Sequence, residues 1–269
     1  MYYLTATNIC YRTRNREILS GIDFELALGE FVVILGPNGA GKSTLLRTLT
    51  GFLTPTSGEI FLQQKKLGSY SIELLAEKRA VMQQQISLDI NLSVFDIITF
   101  AKPQPSSLLT QSTNNSHYLA DDTLCQILEM TECTSLLNRD VAALSGGEKQ
   151  RVLLARTLYQ IWDNSQEGTG IFLDEPTSAL DLYFQQHLLK LIKQLSVEKN
   201  IAVCAILHDV NLAALYADRL YVLKEGKILI QGSPNTVMTH SDFLNWYNLD
   251  GGIHYHPLAI TTPQIYLRP

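Results

Sequence analysis

Short apolar runs and amphipathic stretches alternate along most of this chain. Phe31 to Leu35 is one such run; it closes on the glycine-rich stretch Gly36 to Gly41. Lys42 to Leu49 follows, with Leu45, Leu46 and Leu49 on one helical face. Strand, loop and helix in that order predict the opening unit of an α/β sheet. Upstream, Ile22, Phe24 and Leu26 alternate with polar residues and predict antiparallel strands at one edge. Ile171 to Leu173, Ile201 to Leu207 and Leu220 to Leu223 are apolar throughout, as strands covered on both faces are. A hairpin over Tyr221 to Gln231 should turn through Glu225-Gly226. Between about Leu74 and Tyr159 the pattern becomes helical, as in Leu124, Ile127, Leu128 and Thr131, with a loop marked by Pro103, Pro105 and the polar run Gln111 to Ser116. The expected organisation is one unit over 1–269: an α/β lobe, a helical lobe inserted at about 74–160, and a short C-terminal extension from about 240. Asp163 to Gly170 predicts a second, exposed polar loop without chemistry.

Composition narrows the class. Apolar residues make up 46% and charged residues 17% of 269, which suits a globular core. A net charge of -5, with no basic run, gives no electrostatic drive toward nucleic acid. Cys10, Cys125, Cys133 and Cys204 lack metal-ligand spacing and read as free, mostly buried thiols in a reducing compartment. The N-terminal stretch has no apolar run of signal-peptide type, and nothing approaches the ~18–20 apolar residues of a membrane span. The expectation is a cytosolic chain that meets a membrane only through a partner.

Gly36, Pro37, Asn38, Gly39, Ala40, Gly41, Lys42 and Ser43 fit G-x-x-x-x-G-K-[ST] in full. Glycines there let backbone N–H groups turn inward around phosphate oxygens, helped by the positive end of the following helix. Lys42 would reach the β- and γ-phosphates, and Ser43 would ligate Mg²⁺. Ile171 to Leu173 runs into two carboxylates: Asp174, expected to hold Mg²⁺ through water, and Glu175, placed as general base toward an attacking water. An acidic turn after a strand is weak alone and informative downstream of a P-loop. Leu144 to Arg151 reads LSGGEKQR, in which Ser145 and Glu148 make a capping box around Gly146 and Gly147. Glycines form helices poorly, but bare backbone at a helix start lets an anion approach. The P-loop already cradles one nucleotide, so this second cradle points to a nucleotide held by another copy.

The order of P-loop, LSGGEKQR, FLDEPTSALD and His208 resembles the nucleotide-binding subunit of ABC transporters across nearly the whole chain. That resemblance implies a P-loop NTPase cassette with a RecA-like α/β lobe, an antiparallel β edge and an inserted helical lobe. It implies a head-to-tail pair with two ATPs between facing copies, and ATP contacts from Gly36 through Thr44. Ser145, Gly146, Gly147 and Glu148 would face the partner's γ-phosphate, and His208 would contact the chain's own. Ser178 and Asp181 match the loop that crosses between copies. Gln84, within Gln83 to Gln85, matches the glutamine that senses Mg²⁺ and water beside the permease. Tyr11 matches the aromatic that stacks on adenine, although a tyrosine in an edge strand is most often packing.

A single P-loop and a single LSGGE differ from the tandem cassettes of translation factors. Long heptads and an N-K-x-D motif are both lacking, unlike chromosome-organising ATPases and GTPases. A bare P-loop kinase leaves LSGGE without a role. The phrases Leu173 to His187, Leu207 to Asp218 and Pro263 to Arg268 are similar to the haemin-import ATP-binding proteins of bacteria. Ferric-siderophore and cobalamin importers share the first two more loosely. The resemblance implies two permease subunits, a periplasmic haemin-binding protein, no nucleic acid, and a peripheral place on the cytoplasmic face of the inner membrane. A ferric-siderophore or cobalamin importer, or a non-transport ABC ATPase, remains the alternative. His254 and His256 read as solvent-facing residues of the extension rather than haem ligands.

Overall fold

Every residue of Phe31–Leu35 (β3) is buried, and alternate members face opposite sides of one sheet. Phe31, Val33 and Leu35 enter one core; Val32 and Ile34 enter another. The same division separates Ile171 and Leu173 from Phe172, and Leu220 and Val222 from Tyr221 and Leu223. Continuous apolar runs are therefore needed to serve two cores at once. The computed structural model describes residues 2–14, 16–83, 92–102, 121–163 and 168–269.

In chain order the elements begin with β1 (Tyr2–Arg12), β2 (Glu17–Ala27), β3, α1 (Lys42–Leu49), β4 (Ser57–Leu62), β5 (Lys65–Lys66), α2 (Ile72–Lys78) and β6 (Arg79–Met82). Then come α3 (Val94–Thr99), α4 (Asp122–Met130), α5 (Gly146–Ile161), β7 (Gly170–Asp174), α6 (Leu182–Glu198), β8 (Ala202–Ile206), α7 (Val210–Tyr216) and β9 (Arg219–Lys224). The chain closes with β10 (Lys227–Gly232), α8 (Pro234–Met238), α9 (Phe243–Trp246), β11 (Gly251–His256) and β12 (Ala259–Leu267). The central sheet runs β10-β9-β3-β8-β7-β6, parallel except for β10, and the antiparallel sheet runs β2-β1-β4-β5. One core lies between these sheets around α1, and the other packs the opposite face against α5, α6 and the helices of the 94–161 region.

The expected hairpin turn is present: Glu225 (φ 50°) and Gly226 (φ 74°) both adopt the left-handed region that a two-residue turn between twisted strands requires. Gly226 also ties the site together. Its N–H donates to the Ala40 carbonyl at 3.0 Å, and its carbonyl accepts from the Ser20 N–H at 2.9 Å.

Three expectations change. Residues 79–82 lie inside the interval expected to be helical, yet they form β6, an edge strand parallel to β7 with Ala80 and Met82 buried. At Asp163 to Gly170, Asp163 is exposed and pairs with Lys102 at 2.6 Å, but the described residues Gly168, Thr169 and Gly170 are buried and Gly170 opens β7. The loop over 103–117, like residues 164–167, lies outside the described residues. Beyond residue 240 the chain forms the β11-β12 hairpin, which packs on α7 and α8. His254 is exposed against the edge of Tyr266. His256 is only half-exposed, because its Nδ1 accepts the N–H groups of Leu258 and Ala259, both at 3.1 Å, and caps the hairpin turn. The four thiols are free, with Cys133 and Cys204 buried and Cys10 and Cys125 half-buried.

Candidate functional site

The adjacent parallel order β3-β8-β7 brings three loops to one sheet edge: Gly36–Gly41 after β3, His208 after β8 and Glu175 after β7. Loops at the carboxyl ends of such strands are where α/β sheets bind ligands. Gly36 has φ 149°, and a Cβ there would stand 2.0 Å from the carbonyl oxygen of Leu223, so only glycine passes. Gly41 caps α1 in the left-handed region, with no side-chain cap and no acidic residue in the first turn. The first N–H groups of α1 therefore keep their capacity to bind an anion.

Lys42 is 6% exposed, and its Nζ donates to the Gly36 carbonyl at 2.8 Å and the Pro37 carbonyl at 3.1 Å. Burial holds its pKa below the ordinary lysine value, against the opposing pull of Glu175 and Asp174. Ser43 Oγ donates to Asp174 Oδ1 at 3.1 Å, which places a hydroxyl and a carboxylate together as hard oxygen donors suited to Mg²⁺. Burial pushes the Asp174 carboxyl above its usual range, more than the Ser43 hydrogen bond and Lys42 pull it down.

Glu175 occupies the left-handed region at φ 53°, uncommon for a residue with a side chain. Its N–H donates to the Ile206 carbonyl at 3.2 Å. Its carbonyl accepts Gln150 Nε2 at 3.0 Å and Ser178 Oγ at 3.1 Å. These contacts over-determine the backbone and aim the carboxylate at His208, whose Nε2 stands 2.5 Å from Glu175 Oε1. The resulting cavity, about 350 Å³, is lined by Asn38, Gly39, Gly41, Lys42, Ser43, Thr44 and Glu175 on one side and by Thr13, Arg16, Glu17, Ile18, Glu225 and Gly226 on the other. Tyr11 does not line it and instead packs half-buried against the core between the sheets. Gln84 lies outside the described residues.

Ser145 caps α5 as its spacing implied. The Glu148 carboxylate accepts the Ser145 N–H at 2.8 Å, and Ser145 Oγ accepts the Glu148 N–H at 3.3 Å. The Ser145 backbone hydrogen bond is the main cause holding the Glu148 carboxyl below its usual pKa, and Arg139 bonds its other oxygen at 2.7 Å. No residue from Ser145 to Glu148 lines the cavity around Lys42. Gly147 has a second reason to be bare, since a Cβ would meet the Ala179 carbonyl oxygen at 3.2 Å. Asp181 caps α6, accepting from the Phe184 N–H at 2.9 Å. The bond from buried Gln150 to Glu175 was not anticipated, although Gln150 sits inside LSGGEKQR; from the second turn of α5, its side chain reaches the residue that follows β7.

Asp174 supplies a prediction with a worked sign. Because folding raises its pKa, the ionised carboxylate costs stability, a cost that sets in as pH rises through the usual carboxylate range and is complete above the raised value. Asp174→Asn keeps the acceptor for Ser43 and removes the charge. It should abolish ATP hydrolysis yet raise the nucleotide-free melting temperature at neutral pH by about 2–4 °C, the shift expected for ~1 kcal/mol in a chain of this size. A lower melting temperature would show that Asp174 is not held at a cost.

A family profile described as ABC transporter matches residues 19–178. The chain is 44% identical over 247 residues to the hemin import ATP-binding protein HmuV of Escherichia coli O157:H7, covering 92% of this chain and 93% of that protein. Among solved structures it is similar to cbiO1 of Clostridium perfringens, part of the transporter complex cbiONQ, at 27% identity and TM-score 0.71 over 92% of this chain and 94% of that one. It is also similar to the dimeric bacterial ABC transporter cassette MJ0796, at 25% identity and TM-score 0.71 over 86% and 98%. With P-loop, paired carboxylates and histidine gathered at one sheet edge, and LSGGEKQR capping a separate helix, the chain belongs to the ABC transporter family as an ATP-binding, ATP-hydrolysing cassette.

Proposed function

We propose that this cassette hydrolyses ATP to drive haemin through a membrane permease. The observation that carries the cargo assignment is the 44% identity sustained over 92% of the chain to a hemin import ATP-binding protein. The Pro263 to Arg268 phrase adds to it. The assembly would contain two copies of this chain, two permease subunits and a periplasmic haemin-binding protein, with the cassettes on the cytoplasmic face of the inner membrane. Among the described residues, no helix is long and apolar enough to cross a membrane.

In the proposed cycle the residues Gly36 to Thr44 wrap the phosphates and Lys42 sets its ammonium against the β- and γ-oxygens. Tyr11, two residues before the lining residue Thr13, is the proposed adenine contact. Ser43 and Asp174, with Gln84, would hold Mg²⁺, which supplies neutralisation of phosphate charge. Glu175 takes the proton of the attacking water while His208 hydrogen-bonds the γ-phosphate and keeps the carboxylate oriented. Ser145, Gly146, Gly147 and Glu148 present the start of α5 to the partner's γ-phosphate, and Ser178 and Asp181 lie in the loop between copies. The separation of that helix start from the cavity of its own chain supports sharing between copies. ATP therefore acts as a ligand of the closed pair, and hydrolysis removes the bridge. Closure moves the groove beside Gln84, where the permease's cytoplasmic helix docks.

The test is ATPase activity of the complex reassembled in vesicles with receptors carrying haemin, ferric siderophore or cobalamin. Haemin-loaded receptor should raise turnover severalfold over the other two. Equal or stronger stimulation by ferric siderophore would reassign the cargo. Ribosomes or DNA, rather than a polytopic membrane protein, co-purifying with the chain would overturn the transport role.

A further inference from the structure

The hairpin β11-β12 is bonded to the helix that follows His208. Asn211 lies in the first turn of α7, three residues beyond the histidine. Its Oδ1 accepts the Ile265 N–H at 2.7 Å and its Nδ2 donates to the Ile265 carbonyl at 3.1 Å. One amide thus satisfies both backbone groups of a single residue of β12, a pairing that fixes distance and orientation together. From the strand side, Gln264 is 6% exposed, and its Nε2 donates to the Asn211 carbonyl at 3.2 Å and the Pro263 carbonyl at 3.1 Å. Ile253 and Ile265 pack beneath this lock against the same core as Leu212 and Tyr216 of α7.

Local structure alone does not fix the histidine. α7 has only seven residues, too few to hold a helix without tertiary support. Asp209 caps it, accepting from the Leu212 N–H at 3.0 Å, so the turn through His208 and Asp209 moves with the first turn of α7. His208 itself is an exposed side chain, 47% accessible, at the end of β8, yet its Nε2 must meet Glu175 Oε1 at 2.5 Å. The ring turns on two torsions only, so a shift of the turn that carries it displaces Nε2 from Glu175.

We propose that Asn211 and Gln264 are positioning residues for hydrolysis: the β11-β12 hairpin clamps α7 and thereby sets His208 against Glu175 and the γ-phosphate. This rests on the reading that His208 acts on the γ-phosphate. It gives the segment Pro263 to Arg268 a function within the ATPase itself, separate from any contact with cargo or permease.

The test measures ATP hydrolysis by the intact chain in five variants: Asn211→Ala, Gln264→Ala, His208→Ala, and each lock substitution combined with His208→Ala. Asn211→Ala and Gln264→Ala should each lower kcat on the order of tenfold, the scale of sub-ångström to ångström misplacement of a reacting group, with KM for ATP within about twofold because the P-loop is untouched. In the His208→Ala background, single-turnover hydrolysis followed over hours should show no further loss from either lock substitution. Circular dichroism and nucleotide affinity establish that each variant is folded, and Gln264→Ala leaves the Asn211 side chain in place should Asn211→Ala lose α7 altogether. Retained kcat in both lock variants beside a disabled His208→Ala overturns the inference alone. So does an equal loss with and without His208, or a loss confined to KM. Unchanged turnover in His208→Ala overturns the role of His208 and the inference with it.

Discussion

Glu175→Gln should reduce ATP turnover about 10²–10⁴-fold, the usual contribution of a positioned general base, while leaving nucleotide binding intact. Several features make the substitution clean. The side chain is only 13% exposed and its carboxylate oxygen lies 2.5 Å from His208 Nε2, a contact that a glutamine oxygen can still accept. The strained backbone at φ 53° is held by Ile206, Gln150 and Ser178 through main-chain atoms that the substitution does not alter. What disappears is the ability to take a proton. Since ATP binds and is not consumed, the variant should accumulate as a pair, visible as a doubled mass on size exclusion with ATP and a single mass without it. Rapid turnover by Glu175→Gln would remove Glu175 as the base. Slow turnover without the pair would instead separate hydrolysis from sharing of the nucleotide between copies.

The central sheet was legible because burial on two faces leaves no freedom in composition: Phe31–Leu35 and Leu220–Leu223 had to be apolar at every position. The hairpin through Glu225-Gly226 was legible because its turn demands positive φ and the sequence supplies glycine. β6 was not, since four residues directly after α2, with no glycine or proline between, carry no period of their own. The turn between β4 and β5 hides for a related reason, being built from Gln63 (φ 47°) and Gln64 (φ 67°), residues that do not announce a left-handed conformation. At the site, the motif residues that bind through backbone or end a strand were visible from spacing. Thr13, Arg16 and Ile18 were not, because they reach the cavity from β2 and the turn before it, through sheet curvature that linear order does not encode. The same holds for Gln264, which meets Asn211 from 53 residues away.

Lys42→Ala should weaken ATP binding at least about 100-fold, since losing buried charge-assisted contacts to phosphate removes roughly 3 kcal/mol. The lysine is costly to place: burial holds its pKa low, and its Nζ is kept in position by the carbonyls of Gly36 and Pro37. A site that maintains a desolvated ammonium inside a glycine loop gains from it only when phosphate oxygens arrive, because no water competes there for the charge. Removing the charge should therefore spare the nucleotide-free melting temperature and abolish its rise on adding ATP. Lys42→Arg should not restore binding, because the planar guanidinium presents a fixed fork in place of a point charge. Isothermal titration with ATP measures both variants, and affinity equal to the unsubstituted chain would count against the P-loop assignment. Combining Lys42→Ala with Glu175→Gln should erase the ATP-dependent pair, since a trapped state needs a bound γ-phosphate to bridge the two copies. Survival of the pair in that double variant would mean that something other than shared nucleotide holds the cassettes together.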